Sequence, residues 1–285
     1  MNLIRKSSDS ELKIVEHKLN SGEVLPLLHF ENIEQTGIVK HCFTTRMGGV
    51  SEGIFSSLNV SFTRGDDEAA VRENYCRIAE AMDVEVERFV FTDQTHTTNV
   101  RVVTKEDAGK GIVRDRGYTD VDGLITNVPG LVLSTFFADC VPLYFVDPVN
   151  KAIGMSHSGW RGTVGRMGKV TLEAMKEAYG TRPEDVFCAI GPSICQDCYE
   201  VSADVAAEFA KEFAGHESDI MYPTIPEKYQ LDLWRANEIV LLEAGVLPEH
   251  IAVTNVCTCC NPEELFSHRA SHGKRGNLGA FMCLK

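Results

Sequence analysis

Three apolar runs rich in β-branched and aromatic residues, 131–137, 143–146 and 152–155, adjoin one another instead of alternating with helices. Runs of this kind read as strands, and strands set beside strands argue against regular βαβ repetition. Further runs at 100–103, 186–190 and 251–256 have the same character. Helical spacing lies between and around them. Val71, Tyr75, Ile78 and Met82 repeat at the three-and-four interval of one apolar face, behind Asp66 and Asp67, which can cap the first turn. Residues 163–179 place Val164, Met167, Leu172 and Met175 inward and end at Gly180, a left-handed stop. Ser202 caps a run carrying Val205, Phe209 and Phe213, and 231–244 is another amphipathic stretch, closed by Gly245. The pattern predicts an α+β fold: a single domain with a mixed β-sheet core and packed amphipathic helices. No repeat, low-complexity tract or Pro/Ser-rich linker divides the 285 residues. Residues 1–25 are therefore expected to be a variable N-terminal segment and 26–285 the domain.

Composition narrows the partners. Hydrophobic residues at 44% and charged residues at 24% give an ordinary folded mix, far from the signature of disorder. A net charge of -13 opposes binding to polyphosphate backbones, so no nucleic-acid polymer is expected as partner. A small anion would need a local cation cluster, and Arg46, Arg161, Arg269 and Arg275 lie near the distinctive motifs. The opening MNLIRKSSDSELK carries no apolar leader core, and no run reaches the ~20 apolar residues of a membrane span. The expectation is a cytoplasmic protein with no membrane partner. Its ten cysteines then read as reduced thiols used for packing, metal binding or catalysis.

Three segments place metal-competent side chains at loop-like positions: Gln94-Thr95-His96, Ala138-Asp139-Cys140 and SHSGWRG at 156–162. The second and third each follow an apolar strand, which can fix a side chain at the mouth of a pocket. Two imidazoles and a thiolate suit zinc, and three protein ligands leave a fourth position for water or substrate. The alternative is a pair of hydrogen-bonded structural histidines and a small buried cysteine. Asp139 is either an acceptor that orients an imidazole or the cap of the next turn.

The same segments, in the same order, resemble the hallmark motifs of the laccase-domain (multicopper polyphenol oxidase) family. FTTRMGGVSEGIFSSLNV (43–60), QTHTTNV (94–100), DGLITNVPGLVLSTFFADCVPLYFVD (122–147), SHSGWRGT (156–163) and AIGPSICQDCYEV (189–201) carry the resemblance. It implies a catalytic zinc held by His96, Cys140 and His157. It further implies phosphorolysis of purine nucleosides (adenosine, inosine, guanosine and methylthioadenosine) together with adenosine deamination, so that the partners are a nucleoside and phosphate. Ser156 and Ser158 flank His157 where the family commonly has alanine, and Thr97 follows His96 where glycine is frequent. These departures bear on substrate preference.

For substrate contacts the candidates are Arg46, Asn59 and Arg161. Arg46 sits in Thr45-Arg46-Met47-Gly48-Gly49, where glycines let backbone amides approach an anion and a guanidinium can bind it bidentately; the alternative is a surface turn. Arg161 either contacts substrate or braces the loop carrying His157. Copper-dependent phenol oxidation is the rival reading, although one cysteine and two histidines do not supply several copper centres. Metal-free Cys/His amide chemistry, with a histidine activating Cys140, is a third. Cys195 with Cys198, and Cys257 with Cys260, form two CxxC pairs of zinc-binding bite. Their wide separation leaves buried reduced thiols as the competing interpretation.

Overall fold

The computed structural model describes residues 1–8 and 11–285. Its first six-stranded sheet runs β1 (Leu12–Lys18), β2 (Val24–Phe30), β3 (Val39–Thr44), β15 (Leu278–Leu284), β7 (Val132–Phe137), β4 (Phe89–Phe91). The second, also six-stranded, runs β14 (Ile251–Val253), β10 (Phe187–Ile190), β8 (Val141–Asp147), β9 (Ala152–Ser158), β6 (Gly123–Thr126), β5 (Val100–Val102). Adjacent strands are antiparallel except at β4–β7, β10–β14 and β5–β6, so both sheets are mixed. A small third sheet pairs β13 (Lys228–Leu231) with β11 (Glu200–Ser202) and β12 (Met221–Pro223).

Alternation along β8 shows how the layers assemble. Tyr144 and Val146 point into a core shared with Phe43, Leu133 and Met282 of the first sheet. Leu143 and Phe145 point the other way, against Leu172 and Met175 of α4 (Met167–Tyr179) and Ile239 and Val240 of α7 (Leu233–Glu243). A strand with period two buried on both faces reads as a continuous apolar run, and every residue of β8 and β9 is buried. The outer face of the first sheet is covered by α2 (Glu68–Met82), whose Val71, Tyr75, Ile78 and Met82 meet Leu25, Phe89 and Phe281. The Tyr75 hydroxyl donates to the Val60 carbonyl at 2.7 Å, so its burial leaves no orphaned polar atom. The order of layers is thus helix, sheet, sheet, helices, and the α+β expectation holds.

Local expectations hold with adjustments. Asp67 caps α2, accepting from the Ala69 amide. The helix expected over 163–179 is split into α3 (Trp160–Val164) and α4 by Gly165 and a left-handed Arg166. The residue at the break is held small: a β-carbon on Gly165 would lie 2.7 Å from Thr98, in the loop that carries His96. Ser202 does precede α5 (Ala203–Glu212), but its hydroxyl bonds Asp204 and caps no amide. Asp232 caps α7 by accepting from the Arg235 amide at 3.0 Å. Single-turn helices α1 (Glu31–Gln35) and α6 (Glu217–Ile220) complete the set. The boundary expected between residues 25 and 26 falls inside β2, which pairs along its whole length with β1.

Candidate metal and substrate site

The site forms where the chain crosses between sheets. β7 of the first sheet passes directly into β8 of the second through Ala138, Asp139 and Cys140, and the turn needs a positive φ of 86° at Asp139. Such a conformation is costly for a side-chain-bearing residue unless its surroundings enforce it. Here the Asp139 carboxylate accepts from the Thr258 hydroxyl at 2.6 Å and the Arg269 amide at 2.7 Å, while its carbonyl accepts from the Ile194 amide at 3.0 Å. His96 also has a positive φ, 66°, in the segment that leads from β4 on one sheet edge to β5 on the other. His157 lies within β9, opposite Pro142 of β8.

These three side chains converge: one ligand atom from each of His96, Cys140 and His157 lies within 4.8 Å of the others. The two imidazoles meet edge to face at 4.9 Å. His157 Nδ1 is bonded to Asp122 Oδ1 at 2.8 Å, which leaves Nε2 for Cys140. Asp122, the residue immediately before β6, also accepts from the amides of Thr95 and Thr97 at 3.0 Å and of His96 at 3.2 Å. One buried carboxylate therefore fixes both histidine-bearing segments. The Asp139 carboxylate, for which an orienting role was expected, accepts from Thr258 and Arg269.

Electrostatics follow from that packing. Burial opposes charge on Cys140, but the His157 imidazolium and hydrogen bonds from His157 and His96 outweigh it and bring the thiol down to about 6. Burial likewise opposes a proton on His157, yet the Cys140 thiolate and the Asp122 hydrogen bond raise it to about 9. Nitrogen, nitrogen and sulfur at this separation fit a borderline-soft ion such as zinc with one coordination position left open. Gly159 completes the fit, because a β-carbon there would meet Cys140 Sγ at 3.0 Å and His96 Cδ2 at 3.2 Å.

The three residues line a cavity of about 470 Å³, within the roughly 300–1,000 Å³ range of small-molecule sites. Phe62, Phe91 and Phe136 supply aromatic wall, and Arg64 and Arg275 supply positive charge. Burial, reinforced by Arg64, lowers Arg275 to about 10. Among the described residues its buried Nε has no hydrogen-bond partner. Arg46, in contrast, lies outside the lining: its guanidinium donates to the Ser56 carbonyl at 2.8 Å and the Pro262 carbonyl at 2.6 Å and rests over Phe266. The neighbouring glycines serve close packing, since a β-carbon on Gly49 would fall 2.2 Å from the Ser57 carbonyl. The exposed Arg161 lies over Trp160, also outside the lining. Buried Asn59 accepts from the Asn277 amide at 2.9 Å and so braces the segment that presents Arg275 from behind. Sequence reasoning missed Asp122 and Arg64; an aspartate before a strand looks like an ordinary turn residue, and nothing local marks Arg64.

Fold and site together define a class: an α+β protein whose two mixed sheets meet at an open two-histidine, one-cysteine site in the floor of a cavity. The family model described as multi-copper polyphenol oxidoreductase laccase matches residues 40–285, and the chain belongs to that family. It is 37% identical over 249 residues to the purine nucleoside phosphorylase YlmD of Bacillus subtilis (strain 168), covering 85% of this chain and 87% of that one. It is 33% identical over 229 residues to the adenosine deaminase RL5 of an unknown prokaryotic organism, covering 80% and 87%. The crystal structure of the Bacillus licheniformis hypothetical protein YfiH superposes with a TM-score of 0.87 at 35% identity, covering 91% and 96%.

Proposed function

We propose that this protein is a zinc-dependent purine nucleoside phosphorylase, acting on adenosine, inosine, guanosine and methylthioadenosine, with adenosine deaminase activity. The observation that carries the reading is the convergence of His96, Cys140 and His157 on one point of a cavity that Arg64 and Arg275 also line. The names of the relatives supply the reaction class. Zinc, held by those three side chains, would supply Lewis acidity and lower the pKa of water. Asp122 keeps His157 in the tautomer that turns Nε2 toward the site, as carboxylates behind ligand histidines do. The phenyl rings of Phe62, Phe91 and Phe136 offer faces for a purine. Among the described residues Arg64 makes no hydrogen bond or ion pair, so Arg64 and Arg275 replace Arg46 as the groups for a phosphate dianion. In phosphorolysis these cations place phosphate against the ribose anomeric carbon; in deamination water takes its place at purine C6. A cytoplasmic location is part of the reading, supported by ten cysteines that are all free.

Metal-analysed protein incubated with adenosine, with and without phosphate, tests it. Adenine with ribose 1-phosphate is expected when phosphate is present, and inosine when it is not. Turnover that survives removal of the metal by a chelator would instead favour metal-free Cys/His chemistry, and turnover of phenols with copper would favour oxidation. Arg275→Ala should raise the phosphate concentration needed for adenine release by roughly 10- to 100-fold, the range of a lost hydrogen bond to a charged group. An unchanged phosphate dependence would remove Arg275 from the site.

A further inference from the structure

The two CxxC pairs are far apart in sequence and adjacent in space. Cys195 and Cys198 follow β10, and Cys257 and Cys260 follow β14, its parallel neighbour, so the two pairs sit at the same end of two paired strands. A further bridge between Ser193 and Cys257 extends that pairing to the pairs themselves. One sulfur from each of the four lies within 4.8 Å of the others, and Cys198 Sγ is 3.5 Å from Cys260 Sγ. That separation is too long for a disulfide, whose sulfurs are about 2.05 Å apart. It is close to the edge of a tetrahedron with zinc–sulfur bonds of about 2.3 Å, which is about 3.8 Å.

We infer that Cys195, Cys198, Cys257 and Cys260 form a second metal site, a closed tetrathiolate that takes zinc as a structural ion. The donor set leaves no position for a substrate, unlike the two-histidine, one-cysteine site. Its surroundings suit the net negative charge of four thiolates around a dication. The Cys195 amide donates to Cys257 Sγ at 3.2 Å, and Lys6, paired with Asp197 at 3.1 Å, brings a cation to the same loop. The site also bears on the first one. Thr258, between two of the cysteines, holds the Asp139 carboxylate, and Arg269, whose amide holds the other oxygen, donates from Nη1 to the Cys198 carbonyl at 3.0 Å. The tetrathiolate thus braces the left-handed turn that presents Cys140.

Metal analysis of the full chain tests the inference independently of the proposed activity. The wild type is expected to hold about two zinc ions per chain, and the His96→Ala/His157→Ala variant about one, retained through gel filtration with a chelator. That variant, reloaded with cobalt(II), should show the sulfur-to-cobalt charge-transfer absorption of an all-thiolate site; the measurement needs no cysteine variant to fold. Cys198→Ser/Cys260→Ser should lose one ion and keep the other. Loss of all zinc from the double-histidine variant, or a mass lower by two pairs of hydrogens with Cys195–Cys257 and Cys198–Cys260 disulfides in the peptide map, overturns it. Failure of the first site alone would show as one ion in the wild type that persists in the double-histidine variant.

Discussion

The two clusters that bring cysteine together with other metal-competent side chains differ in donor set, exposure and the elements that carry them. The first joins loops from both sheets, mixes nitrogen with sulfur, keeps His96 exposed and opens onto a cavity. The second joins the ends of two neighbouring strands in one sheet, uses sulfur alone and is closed by a lysine, a backbone amide and an arginine bracket. One arrangement can exchange a ligand and the other cannot, so the first should govern turnover and the second stability.

The largest effect that would test this contrast is His96→Ala. Turnover should fall to background, while the unfolding temperature falls less than it does when the all-cysteine cluster is broken, because the open site has only three protein donors and an exposed histidine among them. Calorimetry and product assays on one preparation read both. The reverse pattern is expected of Cys257→Ser: unfolding should drop by roughly 5–10 °C, on the order of 3 kcal/mol, with a smaller change in turnover per folded molecule. If both variants lost both properties equally, the division of labour would not stand. Next in size, Asp122→Asn should cost about 10- to 100-fold in metal affinity or activity, since the carboxylate fixes His157 and the backbone of the His96 loop. Metal titration of the variant decides it, and a wild-type result would reduce Asp122 to a turn residue.

The smallest effect is a titration. In metal-free protein the charge of His157 holds Cys140 at about 6, against an ordinary thiol value of 9.0. The thiolate is the reactive form, so alkylation of Cys140 should be slow below pH 6, rise through it and be near its plateau by neutrality. Adding zinc should block the reaction. A midpoint near the ordinary thiol value would mean that the thiolate–imidazolium pair does not form.

How much of this was legible in the sequence depended on burial and on distance. Helices α2 and α7 declared themselves because one face of each is wet and the spacing shows. Five of the six strands of the second sheet were visible as short apolar runs between turn residues, and β6 was not among them. Most of the first sheet was not: β2 contains Pro26, β1 reads LKIVEHK with charges at both ends, and β15 reads LGAFMCL, an apolar run with no alternation. In the site, residue chemistry suggested a metal at His96, Cys140 and His157, and the family resemblance pointed to the same three residues. Asp122 stayed hidden because its four partners come from two other segments, and the Gly-Gly context of Arg46 serves a tight backbone crossing that sequence alone does not tell from an anion-binding turn. The two CxxC pairs were visible as pairs, but only the parallel register of β10 and β14 brings them together.

The placement of β15 has a bearing on how the molecule is made. It comes last in chain order, yet it lies between β3 and β7, hydrogen-bonded to both, and the residues leading into it include Arg275 and Asn277 of the cavity wall. During vectorial synthesis all three ligands of the open site leave the ribosome more than a hundred residues before the strand that closes the first sheet. Until residue 284 emerges, β3 and β7 each have an unpaired edge, and the cavity lacks the wall that Arg275 and Asn277 supply. The nascent protein is thus able to gather its histidines and its cysteine early but not to form a working pocket, and a stalled chain would present two open strand edges to whatever quality-control machinery or neighbouring chain it meets.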